Sequence, residues 1–78
     1  MSDTKKMSEI QVGETCRVIH ILCGETMRRK LTDIGLIPGT YTECVLKSCG
    51  DAMSAFVIRG ACIALRKNDL DRITVMPL

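Results

Sequence analysis

The ten residues Leu31–Thr40, with the sequence LTDIGLIPGT, place two glycines and a proline among large aliphatic side chains. Such a stretch is too apolar for a solvated linker, so it predicts a sharp turn that is also packed. Met27, Leu31 and Ile34 recur at helical spacing and form one apolar stripe. The pattern therefore predicts a short helix that ends just before Gly35.

The residues after this helix have the chemistry of a capped corner. Gly35 is expected to adopt the left-handed conformation without a Cβ clash, which lets Leu36 fold back onto the last helical turn. Pro38 and Gly39 form a turn pair that directs the chain into a strand. Gly60 marks a second structural turn further along. The sequence thus predicts a helix that is stopped and joined to a sheet.

Outside this helix, which begins at Glu25, the apolar residues follow the alternation of strands. The predicted strands cover residues 15–22, 40–47, 55–59, 61–65 and 73–76. A single helical or 3-10 turn is expected before the last of them. Residues 1–6 are polar and predicted to be a flexible N-terminal tail, and residues 7–78 one domain. Because a short sheet cannot protect its edges, we expect the strands to close into a small barrel.

Five cysteines lie at positions 16, 23, 44, 49 and 62. Their odd number, without a CxxC pair or an apolar leader segment, indicates reduced thiols and not a disulfide framework. Cys16 and Cys44 are interpreted as packing residues, and Cys49, in a polar loop, as an exposed thiol. Cys62 lies between apolar neighbours, so it is predicted to be buried and sensitive to replacement by serine.

The first predicted strand carries the single histidine. Strict alternation places Cys16, Val18 and His20 on one face, where packing is the more common explanation. An alternative stays open, in which Cys16, His20, Cys44 and Cys49 bind a transition metal, zinc or iron, and the protein is a carrier or sensor. Under the first interpretation no metal or other cofactor is expected.

Length and charge exclude several classes of protein. A chain of 78 residues is too small for a deep catalytic cleft beside a core, and it has no paired-carboxylate, Walker or nucleophile–base motif, so we do not expect an enzyme. A net charge of +2 and two aromatic residues argue against nucleic-acid binding. No apolar run has the length of a membrane span, and a cytoplasmic location is expected.

The chain resembles the ferrous iron transport protein A (FeoA) family, small SH3-like barrels that accompany the bacterial ferrous iron transporter B protein. Five segments carry the similarity: CRVIHI (16–21), LTDIGLIPG (31–39), VIRG (57–60), IALR (63–66) and ITV (73–75). The resemblance implies a mostly β, SH3-like barrel with one short α-helix inserted after the first strand. It also implies an accessory protein that contacts the cytoplasmic GTPase region of the transporter and supports or regulates iron uptake.

We predict that this contact involves the capped corner. Ile37 is expected to be partly exposed between Leu36 and Pro38, and Arg28 and Arg29 on the helix would complete the partner-binding surface. The basic helix face has a second interpretation, as a solvated surface that complements the negative end of the helix. The sequence leaves open whether the barrel forms homo-oligomers.

Overall fold

The structure is a computed structural model that describes residues 3–78. The strands are β1 (Lys5–Lys6), β2 (Thr15–Ile21), β3 (Tyr41–Lys47), β4 (Met53–Ile58), β5 (Ala61–Arg66) and β6 (Ile73–Pro77). The helices are α1 (Glu25–Asp33) and α2 (Lys67–Leu70), and 3-10 turns cover Met7–Glu9 and Cys49–Asp51. None of the helices in residues 3–78 is long and apolar enough to cross a membrane.

All strands belong to one antiparallel sheet in the order β1-β6-β2-β3-β4-β5. The prediction of a small, mostly β, SH3-like fold is confirmed, and the short helix follows the strand that was predicted to be the first, which is β2 in the structure. Full closure was also expected, but among the described residues the edge strands β1 and β5 do not pair with each other. Helix α1 lies beside β5 at this opening, and the half-buried Met27 of α1 and Ile34 just after it pack against the core.

Lys5 and Lys6 fall in the segment predicted to be a flexible tail, yet they pair with Val75 and Thr74 of β6. Backbone N–H and C=O groups can pair with a sheet edge whichever side chains the segment carries. The polar composition of this segment therefore gave no sign that it forms a strand. The paired chain therefore begins before residue 7. Residues 1 and 2, which belong to the same predicted tail, lie outside the described part of the chain.

The core is built from aliphatic residues and thiols around one aromatic ring, as the composition predicts. Phe56 is the largest fully buried side chain, and Leu31 is the buried residue of α1. The buried cluster comprises Met7, Ile10, Cys16, Val18, Ile21, Leu31, Leu36, Cys44, Phe56, Ile58, Leu70, Ile73 and Val75. Because Leu36 belongs to this cluster, the corner after α1 is anchored in the core.

A bulge in β2 changes the face to which its later residues point. Val18 and His20 pair with consecutive residues of β6, so Ile19 between them is the extra residue. Cys16 and Val18 face the core as predicted, but the bulge brings Ile21 inward and leaves His20 exposed. The predicted position of His20 on the face of Cys16 is therefore wrong, because strict alternation assumes a regular strand.

Candidate functional site: the corner after helix α1

Two hydrogen bonds cap the end of α1. The N–H of Gly35 donates to the carbonyl of Thr32 at 3.0 Å, and the N–H of Leu36 donates to the carbonyl of Leu31 at 2.8 Å. Gly35 has a φ of +88°, as this cap requires. The pair of bonds is a Schellman motif, with Leu36 and Leu31 in the same buried cluster. The predicted capped corner is confirmed.

A second turn follows immediately. The N–H of Thr40 donates to the carbonyl of Ile37 at 3.0 Å, with Pro38 and then Gly39, at φ +95°, between them. Proline followed by a residue of positive φ is the arrangement of a type II turn. The N–H of Gly39 also donates to the carbonyl of Val18 at 2.6 Å. This bond fastens the turn to β2.

The Thr40 side chain ties the two turns together. Its hydroxyl accepts a hydrogen bond from the N–H of Ile37 at 3.2 Å and donates one to the carbonyl of Gly35 at 3.0 Å. Ile37 is thus held through its N–H and its carbonyl by the same residue. A half-exposed apolar side chain is presented here from a fixed backbone.

A shallow pocket of about 140 Å³ opens beside the corner. It is lined by His20, Ile21, Arg28, Thr32, Leu36, Ile37 and Pro38. Leu36 is buried, Ile37 is half-exposed, and Pro38 and Arg28 are exposed. Four of the five predicted partner-binding residues therefore line one site. The fifth, Arg29, lies on a neighbouring helix surface with Glu25 and Asp33.

Two basic residues near the corner were not among the predicted partner-binding residues. His20 lines the pocket only because the bulge turns it outward. Arg59 reaches the corner from the β4–β5 turn: a Cβ atom built on Gly35 would lie 2.5 Å from its Cδ atom. Arg59 and Gly60 both have positive φ, so the predicted turn at Gly60 is confirmed as a two-residue hairpin turn. The sequence signals this turn but not the reach of the arginine.

The pocket combines an apolar patch with a basic border. Ile37 and Pro38 offer an apolar patch, and Arg28 offers N–H donors at its border. A partner with an apolar side chain next to a carboxylate would satisfy both. Within residues 3–78 no group of three or more His, Cys, Asp or Glu side chains is placed to hold a metal ion.

The four residues of the alternative metal site do not come together as one group. Cys16 and Cys44 are buried, whereas Cys49 and His20 are exposed. Burial raises the pKa of the Cys16 thiol from 9.0 to about 11, with smaller contributions from Cys44 and Glu14. Burial also raises the pKa of Cys44, whose Sγ donates to the carbonyl of Leu46 at 3.8 Å. Both buried thiols are therefore protonated packing groups at neutral pH.

The predicted burial of Cys62 is wrong. Cys62 lies on β5, opposite Val57 of β4, and is exposed. Its apolar neighbours indicated a core strand, but β5 is an edge strand. The exposure predicted for Cys49 is confirmed.

Comparison with known protein families matches residues 5–77 to the FeoA domain. This chain belongs to the FeoA family. An iron uptake regulatory protein (FeoA) crystal structure matches with a TM-score of 0.87 at 28% identity, covering 96% of this chain and 99% of that chain. The FeoA-like protein from Clostridium acetobutylicum matches with a TM-score of 0.86 at 28% identity, covering 100% of this chain and 91% of that one. Family membership connects this FeoA protein with ferrous iron transport.

The same fold also occurs in other proteins. A manganese-dependent transcriptional repressor matches with a TM-score of 0.88 at 19% identity, and the match covers 100% of this chain and 44% of the repressor. At this identity the likeness is one of fold alone. A search of curated proteins found no match.

Proposed function

We propose that this FeoA protein is a binding module and not an enzyme, and that it supports ferrous iron uptake by docking on the cytoplasmic GTPase region of the membrane transporter. The observation that carries the proposal is the convergence of Ile37, Pro38 and Arg28 at one pocket beside a doubly hydrogen-bonded corner. His20 and Arg59 add two more polar groups at its border.

The geometry suits an apolar anchor of a protein interface. Binding energy in such interfaces is concentrated in a few central apolar or aromatic contacts, and a polar border excludes water around them. Ile37 is the candidate centre because its backbone is already fixed by Thr40. A fixed anchor loses little conformational entropy when it binds, so more of its contact energy appears as affinity.

The charges at the border indicate an acidic partner surface. Arg28 of α1 lines the pocket, and Arg59 reaches Gly35 from the β4–β5 turn. Complementary charges at the edge of an interface speed up association and make binding sensitive to salt. Replacing Arg28 by glutamate should therefore slow association and reduce its salt dependence, with a smaller effect on affinity than a change at Ile37.

Calorimetric titration of the purified FeoA protein into the purified cytoplasmic GTPase region tests this proposal. The titration is run with GDP and with a non-hydrolysable GTP analogue. Ile37→Glu places a charge at the centre of the contact and is expected to cost about 2 kcal/mol, or roughly 30-fold in affinity. Cells that lack the native protein and carry this variant should show reduced ferrous iron uptake.

Val12→Glu is the matched control. Val12 is also an exposed aliphatic residue, at 56% exposure, but it precedes the start of β2, whereas the corner packs near the end of that strand. The seven residues of β2 separate the two sites by about 20 Å. The proposal fails if Ile37→Glu melts like the wild type and binds the GTPase region as tightly as Val12→Glu does.

A further inference from the structure

Strand β5 has one free edge. It pairs with β4 from Arg66 opposite Met53 to Ala61 opposite Ile58, and has no second neighbour in residues 3–78. Ile58 and Ala61 close the two-residue hairpin turn, which makes them a hydrogen-bonded pair. Hydrogen bonding alternates along such a ladder. The N–H and C=O groups of Cys62, Ala64 and Arg66 therefore point away from β4 and towards solvent.

The features that usually protect a sheet edge are weak on β5. Protected edges carry charges, proline or a bulge, are very short, or are covered by a helix or loop. Helix α1 faces the inner side of β5 across a groove, and in residues 3–78 it makes no backbone hydrogen bond to the outward groups of β5. The opposite edge strand, β1, has two residues and both are lysines. By contrast, β5 has six residues with the sequence ACIALR, pairs with β4 without a register shift, and carries a charge only at its end, on Arg66. Its first residues, Ala61 and Cys62, are exposed.

Both faces of this edge are apolar. On the inner face, Ile63 and Leu65 line a groove of about 380 Å³ together with Met27 of α1 and Ile34, which follows the helix. On the outer face, Ala64 borders a depression of about 220 Å³ whose lining includes Leu46, Met53 and Ala55. Leu46 is 64% exposed. A strand added to β5 would thus meet apolar surface on each side of the sheet.

We propose that β5 pairs antiparallel with β5 of a second copy of this chain, around a two-fold axis at Ala64. The two six-stranded sheets would then become one continuous sheet. In this register Ala64 faces the partner's Ala64, and Ile63 faces the partner's Leu65. Arg66 faces the partner's Cys62.

Backbone hydrogen bonding selects this register. The outward backbone groups belong to even-numbered residues, so an axis between two residues would place outward groups opposite inward ones and lose the bonds. An axis at Ile63 would place Arg66 opposite Gly60, which lies in the hairpin turn outside β5. An axis at Ala64 pairs all three outward residues of β5 with one another, and it places no two charged residues of the strand opposite each other.

The second copy is favoured over a foreign strand because the edge is complementary to itself. The small Ala64 lies at the centre, where the two strands are related by symmetry. Ile63 and Leu65 on the inner face meet the partner's equivalents, so the apolar wall beside α1 becomes longer. No residue of β5 other than Arg66 requires a charged counterpart from a different protein.

Sedimentation velocity under reducing conditions, from dilute to concentrated protein, tests the proposal. The wild type is expected to show a monomer–dimer equilibrium. Ala64→Pro removes an N–H that points to solvent, so the β4–β5 ladder stays intact while strand addition is blocked. It should weaken the dimer by at least about tenfold, whereas the control Ala64→Thr, which keeps the N–H, should still dimerise.

A crosslinking experiment checks the register in a variant that keeps the backbone N–H of residue 64. Ala64→Cys, in a background of Cys23→Ser, Cys49→Ser and Cys62→Ser, places one accessible thiol at the proposed axis. A short bis-maleimide reagent should join two chains through it. In the wild type, Cys62 and the partner's Cys62 lie four residues apart along the strand, about 13 Å, and should crosslink more slowly.

Three results would overturn the proposal. They are a wild type that remains monomeric at every concentration, an Ala64→Pro variant that dimerises as the wild type does, and no crosslink through the thiol of the Ala64→Cys variant. Binding of a different protein's strand to a monomeric wild type would assign the edge to that protein and also refute self-pairing.

Discussion

Replacing Gly35 measures how much the capped corner contributes to stability. The residue has a φ of +88°, and this conformation costs an L-amino acid with a Cβ about 1–2 kcal/mol. Each kcal/mol lowers the melting temperature of a domain of this size by about 4–8 °C. Gly35→Ala should therefore melt roughly 4–16 °C below the wild type. Gly35→Val, which is β-branched, should lose up to about 3 kcal/mol.

Contact with Arg59 makes a second, smaller contribution to the loss of stability. A Cβ at position 35 would lie 2.5 Å from Cδ and 2.7 Å from Nε of Arg59, so this side chain must move. Arg59 is exposed and flexible, and the movement is cheap. A double-mutant cycle of Gly35→Ala with Arg59→Ala should thus give a coupling energy below about 0.5 kcal/mol. The backbone conformation, and not the arginine contact, accounts for most of the loss.

Chemical denaturation with urea gives the free energies, and Gly35→Asn is the control. Asparagine tolerates the left-handed conformation better than alanine although it is larger. The expected order of stability is glycine, asparagine, alanine, valine. If Gly35→Ala unfolds at the wild-type urea concentration, the cap contributes nothing measurable. If asparagine is worse than alanine and Arg59→Ala restores it, steric contact controls the site.

Three further outcomes are expected. Thr40→Val keeps the shape of the side chain but removes both hydroxyl hydrogen bonds, so urea unfolding should show a loss of about 1–3 kcal/mol. Cys16→Ser buries a hydroxyl and should lower the melting temperature, whereas Cys49→Ser and Cys62→Ser, on exposed positions, should leave it within error. The pKa of Cys16 is raised in the folded state, so the thiol of the unfolded chain loses its proton at a lower pH. The free energy of unfolding should therefore fall between pH 9 and about pH 11. In melts at a series of pH values, Cys16→Ala should reduce this fall.

The corner could be predicted from the sequence because its determinants are local. Each determinant acts over only a few residues: the apolar stripe ending at Ile34, the glycine after it, and the Pro38-Gly39 pair. The backbone hydrogen bonds of the corner form at the positions that these residues predict. The exposed character of Arg28 and the half-exposure of Ile37 follow from the same local pattern.

The rest of the site depends on non-local pairing. The outward position of His20 results from how β2 pairs with β6, more than fifty residues away, and the sequence around Ile19 carries no glycine or proline to signal a bulge. Arg59 approaches Gly35 only because the β4–β5 turn folds against the end of α1. Periodicity along one strand contains no information about either neighbour.

The same limit explains the mistake at Cys62. An apolar strand in the middle of a sheet and an apolar strand at its edge have similar sequences. Position in the sheet is decided by strand order, and β5 is last in that order although it is fifth in the chain. Self-pairing of β5, as proposed above, would account for an edge that has the composition of an interior strand.

The placement of β6 has a consequence for how the chain matures during synthesis. Of the six strands this one is synthesised last, yet it lies between β1 and β2, where Val75 faces both Lys5 and Val18. Until it emerges, β2 lacks one neighbour and β1 has none. The β3–β4–β5 meander can form early from contacts close in sequence, but the N-terminal half must wait. A nascent chain therefore leaves one edge of β2 unpaired until β6 has emerged, and a chain that terminates before β6 can pair neither that edge nor β1.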